Sequence, residues 1–526
     1  MLPKKARREE VLHRLSEGGG LRPGAAGAVH RETGVPEADV FGAASFYTLL
    51  TDPDSVRVCQ GLSCCLRGCE AEMARLETDG RKAVYASCLG RCDAAPALWD
   101  PHGAIELPAT GLTPSDGPYE LVLDLAAPDA FDRTAPYPAL AAARERGADW
   151  VVGELEAAGL TGRGGAGFPA HVKWNGVRRQ PITERYVVLN ADEGEPGTFK
   201  DREVMLRRPH LVVEGLAVAA VALGAQEVWI YVRGEFDAPR LAMEAALAEA
   251  ADAGALPDGV SWHFHEGHGA YICGEETALL ESLEGKRGMP RMKPPFPVEV
   301  GFRGKPTLIQ NVETIACVPP ILTRGGAWFR GLGRTEAGTK LYCLSGHVVR
   351  PGVYEAPMGV PLSELLELAG GVDGTLKAFS PGGASSGFLP ASMAGVPLEF
   401  KALAAAGSML GSAGIVVLDE TADMVAAALS QAVFFEDESC GQCSPCRIGT
   451  RLLRRALERY RESGDPAALA EVDEVSWGMG EASICGLGQA APLPLTSARQ
   501  YFPAEFGRLP APAAGEGSNG GGGSGG

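Results

Sequence analysis

Hydrophobic spacing along the chain changes period several times, and each change marks a different kind of element. Between residues 5 and 50 apolar positions recur at helical spacing, and Gly34-Val-Pro-Glu-Ala-Asp-Val-Phe-Gly-Ala-Ala-Ser-Phe-Tyr47 places them on one face of a short helix. From 55 to about 123, short β-like runs at 55–59 and 82–85 alternate with a helical stretch at 70–78, the pattern of a small α/β domain. Residues 124–150 are rich in Pro and Ala and read as a connection. Alternation resumes over 150–335. There Arg185-Tyr-Val-Val-Leu-Asn190 and Glu227-Val-Trp-Ile-Tyr-Val-Arg233 have the continuous apolar character of buried strands, with helices predicted at 212–223 and 238–253. Leu341-Tyr-Cys-Leu-Ser-Gly346, Gly352-Val-Tyr354 and a helix-like run at 361–369 fit a small β-grasp module within 338–405. From Asp423 onward the spacing is helical, broken only by a cysteine loop. No internal repeat is evident, and the Gly/Ser-rich end at 515–526 cannot pack a core and reads as a flexible linker.

Length and charge narrow the class. At 526 residues the chain should hold several domains, because single cores rarely grow past ~250–300 residues. A net charge of −18 argues against nucleic acid or an anionic membrane surface as the main partner. No apolar run approaches the roughly 20 residues of a membrane-spanning helix, and the charged start MLPKKARREE lacks the hydrophobic stretch of a secretory signal. These features predict a soluble cytoplasmic protein.

The chain carries 13 cysteines, and a reducing compartment disfavours disulfides among them. Clustered thiols more often bind metal. Cys440-x-x-Cys443-x-x-Cys446 puts three thiols on one loop, with Gly441, Gln442, Ser444 and Pro445 as small or turn-forming spacers, and Cys485 in Ser-Ile-Cys-Gly-Leu-Gly488 supplies a distant fourth. Three-plus-one spacing favours a [4Fe–4S] cluster over a four-cysteine zinc site, which usually uses two Cys-x-x-Cys pairs. Cys59-x4-Cys64 and Cys88-x3-Cys92 fit a [2Fe–2S] cluster, two thiolates for each iron. Cys65 and Cys69 read as ordinary semi-buried cysteines, and a Cys64/Cys65 exchange would break the four-residue gap.

Gly162-Arg-Gly-Gly-Ala-Gly167 matches G-x-G-x-x-G by letter, but residues 148–160 ahead of it read as a helix, so a Rossmann βαβ unit is not expected here. The loop instead suits a glycine-lined phosphate and ring cradle, with Arg163 and Lys173 placed to neutralise a phosphate. Asn190-Ala-Asp-Glu-Gly-Glu-Pro-Gly197 follows a predicted parallel strand, where α/β proteins bind ligands. Gly267-His-Gly-Ala-Tyr-Ile-Cys-Gly-Glu-Glu-Thr277 brings two adjacent carboxylates to a helix start, where Glu275 or Glu276 can cap the helix as well as meet a ligand. Cys273 and His268 read as packing residues.

Together these motifs resemble the NADH-oxidising module of respiratory complex I and its relatives, the diaphorase subunits of NAD-dependent formate dehydrogenases and NAD-reducing hydrogenases. The resemblance rests on Gly-Arg-Gly-Gly-Ala-Gly-Phe-Pro169, Glu-Pro-Gly-Thr-Phe-Lys-Asp-Arg202, Ala-Tyr-Ile-Cys-Gly-Glu-Glu-Thr277, Lys-Pro-Pro-Phe-Pro297, Asn-Val-Glu-Thr314 and Glu-Ser-Cys-Gly-Gln-Cys-Ser-Pro-Cys-Arg447. It implies a multidomain α/β architecture. A short N-terminal helical segment (1–50) precedes a thioredoxin-like [2Fe–2S] ferredoxin domain (51–125). A linker (126–148) leads to an α/β FMN- and NAD-binding domain (149–335), a β-grasp insert (336–405), a C-terminal helical bundle carrying the [4Fe–4S] cluster (406–510) and a tail (511–526).

By resemblance, FMN contacts come from Gly162, Arg163, Gly164, Lys173, Asn190, Asp192, Glu193, Gly274, Glu275 and Asn311. Dinucleotide contacts come from Phe168, Glu195, Glu276, Lys293 and Phe296, and Glu195 is the candidate catalytic residue, although hydride transfer needs no side-chain acid or base. Gly176 stands where relatives often carry a second aromatic against the adenine, and Gln310 where complex I has Asn. Fusion of both modules without a membrane element most resembles the diaphorase (beta) subunit of a soluble NAD-dependent formate dehydrogenase. The implied partners are NAD(H) and a molybdenum- or tungsten-pterin formate dehydrogenase alpha subunit, since nothing here resembles a pterin site. An NAD-reducing hydrogenase or a complex I-type NADH:quinone oxidoreductase module is the alternative setting. Glu276 is further expected to set a preference for NADH by repelling a 2′-phosphate.

Overall fold

The computed structural model describes residues 8–103, 110–129 and 131–507; the tail expected at 511–526 lies outside them. Four parallel strands form the centre, in the order Ser261–Glu266, Glu227–Val232, Tyr186–Ala191, Thr307–Asn311. Both faces of the sheet are covered at its centre, which is why the strands at 186–191 and 227–232 read as apolar runs. Val187 and Leu189 face a core shared with the helix Pro209–Leu223, whose residues are buried nearly all round. Tyr186 and Val188 face the opposite side, against Val11, Leu12 and Val40 of the N-terminal helices Val11–Glu17 and Glu37–Ala44. The N-terminal helical segment thus packs as a second layer on the central sheet.

Residues 56–99 build a small three-stranded sheet. Val56–Cys59 pairs in parallel with Ala83–Ala86 and antiparallel with Leu98–Trp99, flanked by the helices Leu62–Leu66 and Cys69–Thr78. The chain then leaves this unit: Gly111–Leu112 adds as a parallel edge strand to a separate six-stranded sheet. Buried Glu355 holds the strap that follows, accepting from the backbone N–H groups of Val122, Leu123 and Asp124. The expected connection at 126–148 is helical from Pro138 onward; Pro138–Ala158 is one helix broken at Gly147, where φ is 81°. Pro in the first turn and the Ala-rich stretch behind it favour that helix.

The six-stranded sheet runs Leu389–Pro390, Leu376–Ser380, Gly414–Asp419, Thr339–Gly346, Gly352–Pro357, Gly111–Leu112. Gly414–Asp419 is a central strand although it falls beyond position 405. The remaining chain is helical: Met424–Asp437, Ser444–Ser463, Val472–Ala482 and Leu493–Tyr501 pack around Phe434, Leu457 and Leu495. No helix among the described residues is long and apolar enough to cross a membrane.

Charged side chains seat the small three-stranded unit on the central domain. Arg202, nearly fully buried, donates to the carbonyl of Gly90 at 2.9 Å and pairs with Asp93 at 2.6 Å. Arg233 donates to the Glu193 carbonyl at 2.6 Å and the Cys88 carbonyl at 2.7 Å. A guanidinium suits this role because its planar fork serves several oxygens at once.

Candidate functional site

Two strands of the parallel sheet end side by side at Ala191 and Asn311, and with the segments 164–166 and 271–275 those ends line a cavity of about 440 Å³. The volume is in the range of small-molecule sites. Gly164 and Gly165 form one wall, Asn190, Asp192, Glu193 and Glu195 another, and Gly274, Glu275 and Asn311 a third. Ser385 and Met409 from the six-stranded sheet region and Gly486, Leu487 and Gln489 from the helical end close it. A side chain is disfavoured at the first wall: a Cβ on Gly164 would crowd the Asn311 side chain at 3.0 Å. The loop is pinned by a hydrogen bond from the Gly162 N–H to the Phe168 carbonyl at 2.8 Å.

Local hydrogen bonds set each polar wall group. Asn190 donates to the Gly274 carbonyl at 2.8 Å. Asn311 caps its helix by accepting from the N–H groups of Glu313 and Thr314, and donates to Asp201 at 2.6 Å. Glu193 accepts from the Asp201 and Arg202 N–H groups at 2.8 and 3.0 Å. Burial and the neighbouring Asp201 nevertheless push its carboxyl up to about 8. Asp192 is pushed up to about 8 by burial, against the pull of Arg233 and with Glu235 and Glu438 adding to the rise. Its Oδ2 is buried without a hydrogen-bond partner, an unmet polar atom on the cavity wall. Glu195 is held by the Tyr271 hydroxyl and by the Ser385 N–H at 2.8 Å; burial raises its carboxyl.

The other predicted contacts separate into groups. Lys173 pairs with Glu276 at 2.7 Å, and Lys293 with Glu275 at 2.7 Å and Glu276 at 3.2 Å. The cap itself is Glu275, which accepts from the Thr277 and Ala278 N–H groups. Burial raises the Glu276 carboxyl, but the two ammonium groups outweigh it and hold it below the usual range. Glu276 is therefore not a bare charge facing a nucleotide. Phe168 and Phe296 are half exposed, at 51 and 49 %, leaving two ring faces free for stacking. Arg163 requires a correction. Its guanidinium is fully buried, donating to the Ala337 carbonyl at 3.0 Å and to Thr161 Oγ1 at 3.3 Å. It braces the glycine loop from behind and does not neutralise a phosphate; only the backbone of this residue can serve a ligand. Gln310 lies buried in its strand, and a side chain at Gly176 would meet Val298. His268 and Cys273 are buried, His268 edge-on to Tyr47.

The cysteines gather as their spacing suggests. Cys59 lies beside Cys64 and Cys88, and Cys88 beside Cys92. Backbone N–H groups of Gly90 and Ala97 reach Cys88 and Cys64, each at 3.4 Å. At the helical end, Cys443 is the N-cap of Ser444–Ser463 and Cys485 that of Gly486–Ala490. The N–H groups of Leu487 and Gly488 lie near Cys485, and that of Gln442 lies near Cys440. Gly488 is required here, since a Cβ would lie 2.9 Å from that of Cys446, and Ser483 Oγ is buried without a partner. Small residues, donors aimed at sulfur and four thiols fit an iron–sulfur cluster. Among the described residues, no three His, Cys, Asp or Glu side chains converge as tightly as a single metal ion requires.

A second cavity of about 490 Å³ lies between the cysteine sets. Cys88 lines it on one side and Cys440 on the other, and it shares Asp192, Gly194, Tyr271 and Ile272 with the first cavity. Arg233, Ser385 and Gln489 line these cavities although no motif singled them out, and Tyr271 lines both although its motif gave it no role. The glycine pair in Ser380-Pro-Gly-Gly383 was the one signal available for the wall that Ser385 completes.

Family models match three parts of the chain: Nuo51 FMN-binding domain over residues 155–320, SLBB domain over 341–389, and NADH-ubiquinone oxidoreductase-F iron-sulfur binding region over 426–509. With the glycine-walled cavity beside the Cys440–Cys485 thiols, they define an FMN-binding, [4Fe–4S]-carrying oxidoreductase component. The chain is 48 % identical over 373 residues, 68 % of its length and 88 % of the relative's, to an F-type NADH-quinone oxidoreductase subunit of Rhizobium meliloti (strain 1021). It is 45 % identical over 377 residues to the F-type NADH-quinone oxidoreductase subunit of Rickettsia rickettsii (strain Sheila Smith), covering 69 % of this chain and 89 % of that one. It belongs to the family of F-type NADH-quinone oxidoreductase subunits. The solved NAD+-reducing [NiFe]-hydrogenase in the H2-reduced state is similar with a TM-score of 0.85 and 31 % identity, over 95 % of this chain and 93 % of that one.

The buried Asp192 carboxyl yields a prediction of pH-dependent stability. Folded, it keeps its proton to about pH 8; unfolded, it loses it near pH 4. In between, the native state binds more protons, so its contribution to stability is present at low pH and lost as pH rises through about 8. Asp192→Asn cannot titrate. Its stability relative to the unsubstituted protein should therefore rise by on the order of a few kcal/mol between pH 5 and 9, read by denaturant melts across that range. A difference independent of pH would contradict the assignment.

Proposed function

We propose that the chain is the NAD(H)-reacting diaphorase subunit of a soluble cytoplasmic formate dehydrogenase, holding FMN in the first cavity and two iron–sulfur clusters on either side of the second. One observation carries the reading. Cys88 and Cys440, from the two cysteine sets, line a cavity that shares a wall with the flavin cavity, and Gly486, next to Cys485, lines the flavin cavity itself. Cys440, Cys443, Cys446 and Cys485 would hold the [4Fe–4S] cluster. Cys59, Cys64, Cys88 and Cys92 would hold a [2Fe–2S] cluster in a thioredoxin-like unit. When bound, FMN supplies the exchange between a hydride from NADH and single electrons for the clusters.

The chain's own groups bind, orient and shield. The backbone of Gly162, Arg163 and Gly164 would line the flavin, Asp192 and Asn190 would bind it, and Lys173 would offer a cation for its phosphate. Phe168 and Phe296 stack on the dinucleotide, with Lys293 beside them. Glu195, fixed by Tyr271 and Ser385, orients the reacting end of the nucleotide and transfers no proton. The partner that this reading requires oxidises formate at a molybdenum- or tungsten-pterin centre and delivers electrons to the clusters, which the chain passes to NAD+. The hydrogenase setting draws support from the similarity of an NAD+-reducing [NiFe]-hydrogenase over 95 % of this chain, and a complex I-type setting from the NADH-quinone oxidoreductase relatives.

The isolated chain should reduce an artificial dye with NADH and show no formate-dependent activity. The complex purified from its native source should reduce NAD+ with formate and not with hydrogen. Formate turnover by the isolated chain would refute this division of labour, and hydrogen-driven NAD+ reduction by the complex would replace the formate reading with the hydrogenase one.

Nucleotide preference gives a second test. Glu275, Glu276, Lys173 and Lys293 form a charge-balanced group in which each carboxylate is within 3.2 Å of an ammonium. Glu276→Gln removes one negative charge and frees Lys293, the lysine beside the dinucleotide, toward a 2′-phosphate. A unit charge pair at ~5 Å and an effective dielectric near 20 is worth roughly 3 kcal/mol before screening. About a third of that approaches the ~1.4 kcal/mol of a tenfold change. The kcat/KM for NADPH should rise by about tenfold while that for NADH changes less, in steady-state kinetics with both nucleotides. Unaltered discrimination would remove Glu276 from the ribose site.

A further inference from the structure

Cys65 and Cys69 belong to neither cysteine set used above, yet their sulfurs lie 3.5 Å apart. The short helix Leu62–Leu66 ends just before Gly68, whose φ of 88° turns the chain into the next helix, Cys69–Thr78. Glycine permits that conformation, and the turn brings the two thiols together. Cys65 is exposed and Cys69 buried, so one sulfur is open to solution and the other waits behind it. A disulfide bond of about 2.05 Å requires the sulfurs to close by about 1.5 Å, a distance that rotating the exposed Cys65 side chain between staggered positions can supply. Cys65 also occupies an interface. It donates to the Gln60 carbonyl at 3.2 Å and accepts from Ser430 Oγ at 3.7 Å, and Ser430 lies on the helix Met424–Asp437 ahead of the Cys440 loop. The Gln60 side chain donates to Asp437 on the same helix at 3.0 Å.

We propose that Cys65 and Cys69 form a redox-active dithiol that closes to a disulfide with a low-molecular-weight disulfide as oxidant, releasing Cys65 from its contacts with Gln60 and Ser430. The Cys65 sulfur gives up its proton and attacks one sulfur of the small disulfide; that S–S bond breaks and one small thiolate leaves. The Cys69 sulfur then gives up its proton and attacks the Cys65 sulfur of the mixed disulfide, expelling the second small thiolate. Both released protons end on the small thiols, so the protein loses two electrons and the oxidant gains two. The inference rests on the proposed ligand set in one respect, that Cys64 and not Cys65 holds iron.

The test uses the full chain with its clusters, kept free of oxygen and incubated with oxidised glutathione. Remaining thiols are alkylated before trypsin digestion and mass spectrometry. Cleavage after Arg67 separates the two cysteines, so the disulfide appears as a crosslinked peptide pair. The expected result is a Cys65–Cys69 crosslink in the unsubstituted protein and a glutathione adduct at Cys65 in Cys69→Ser. Amide exchange over Met424–Asp437 should accelerate on oxidation, and not in Cys69→Ser. Cys65→Ser should keep both cluster signals in electron paramagnetic resonance. Absence of the crosslink with both signals intact overturns the dithiol alone, and unchanged exchange overturns the release of the interface. Loss of the [2Fe–2S] signal in Cys65→Ser overturns the dithiol together with the ligand set.

Discussion

The fully buried Glu313 carboxylate ties the two large sheets together beside the glycine-walled cavity. It pairs with Lys200 at 2.9 Å and Lys340 at 3.3 Å and accepts the Leu341 N–H at 2.9 Å. Lys340 and Leu341 begin a strand of the six-stranded sheet, whereas Glu313 follows the parallel strand Thr307–Asn311. Lys200 also meets Asp201 at 2.7 Å, and Asp201 holds Asn311. Lys340 donates in turn to the Arg163 carbonyl at 3.0 Å, fixing the glycine loop. Removing one partner from such a buried network costs about 3–5 kcal/mol because it leaves an uncompensated charge. Although burial opposes it, the surrounding carboxylates Asp201, Glu313 and Glu193 keep Lys200 charged, while burial brings Lys340 down to about 8.

This network explains why the site joins distant segments. Residues 164–166 and 190–201 come from the central domain, Ser385 and Met409 from the six-stranded sheet region, and Leu487 and Gln489 from the helical end. Each segment is short and polar or glycine-rich, and none could form a cavity alone. Arg202 and Arg233 carry the same logic to the three-stranded unit by clamping the carbonyls of Gly90 and Cys88. Cys88 is thereby set against the second cavity.

Much of this was legible in the residues. The apolar runs at 185–190 and 227–233 are central strands because both sheet faces are covered, and Asn190, Asp192, Glu193 and Glu195 meet the cavity because they end or follow such a strand. Cysteine spacing brought out both thiol sets. Side-chain direction was less legible: Arg163 sits among glycines that suggest a phosphate loop, but its guanidinium turns into the core beneath Ala337. Partners distant in sequence were also out of reach. The two lysines that offset Glu276 lie 103 residues before it, at Lys173, and in the Pro-rich loop after it, at Lys293. The helix from Pro138 is locally favoured, but Pro- and Ala-rich composition reads equally well as a connection. The strand Gly111–Leu112 gains its partner only in the folded chain.

The central claim is that two separate thiol sets lie on either side of a cavity adjoining one flavin site and would receive its electrons. Electron paramagnetic resonance of the NADH-reduced chain tests it most directly. Two signals of different type should appear, and Cys443→Ser should abolish the one from the [4Fe–4S] cluster while leaving the other. Persistence of both signals in Cys443→Ser, or a single signal in the unsubstituted protein at full reduction, would contradict the account.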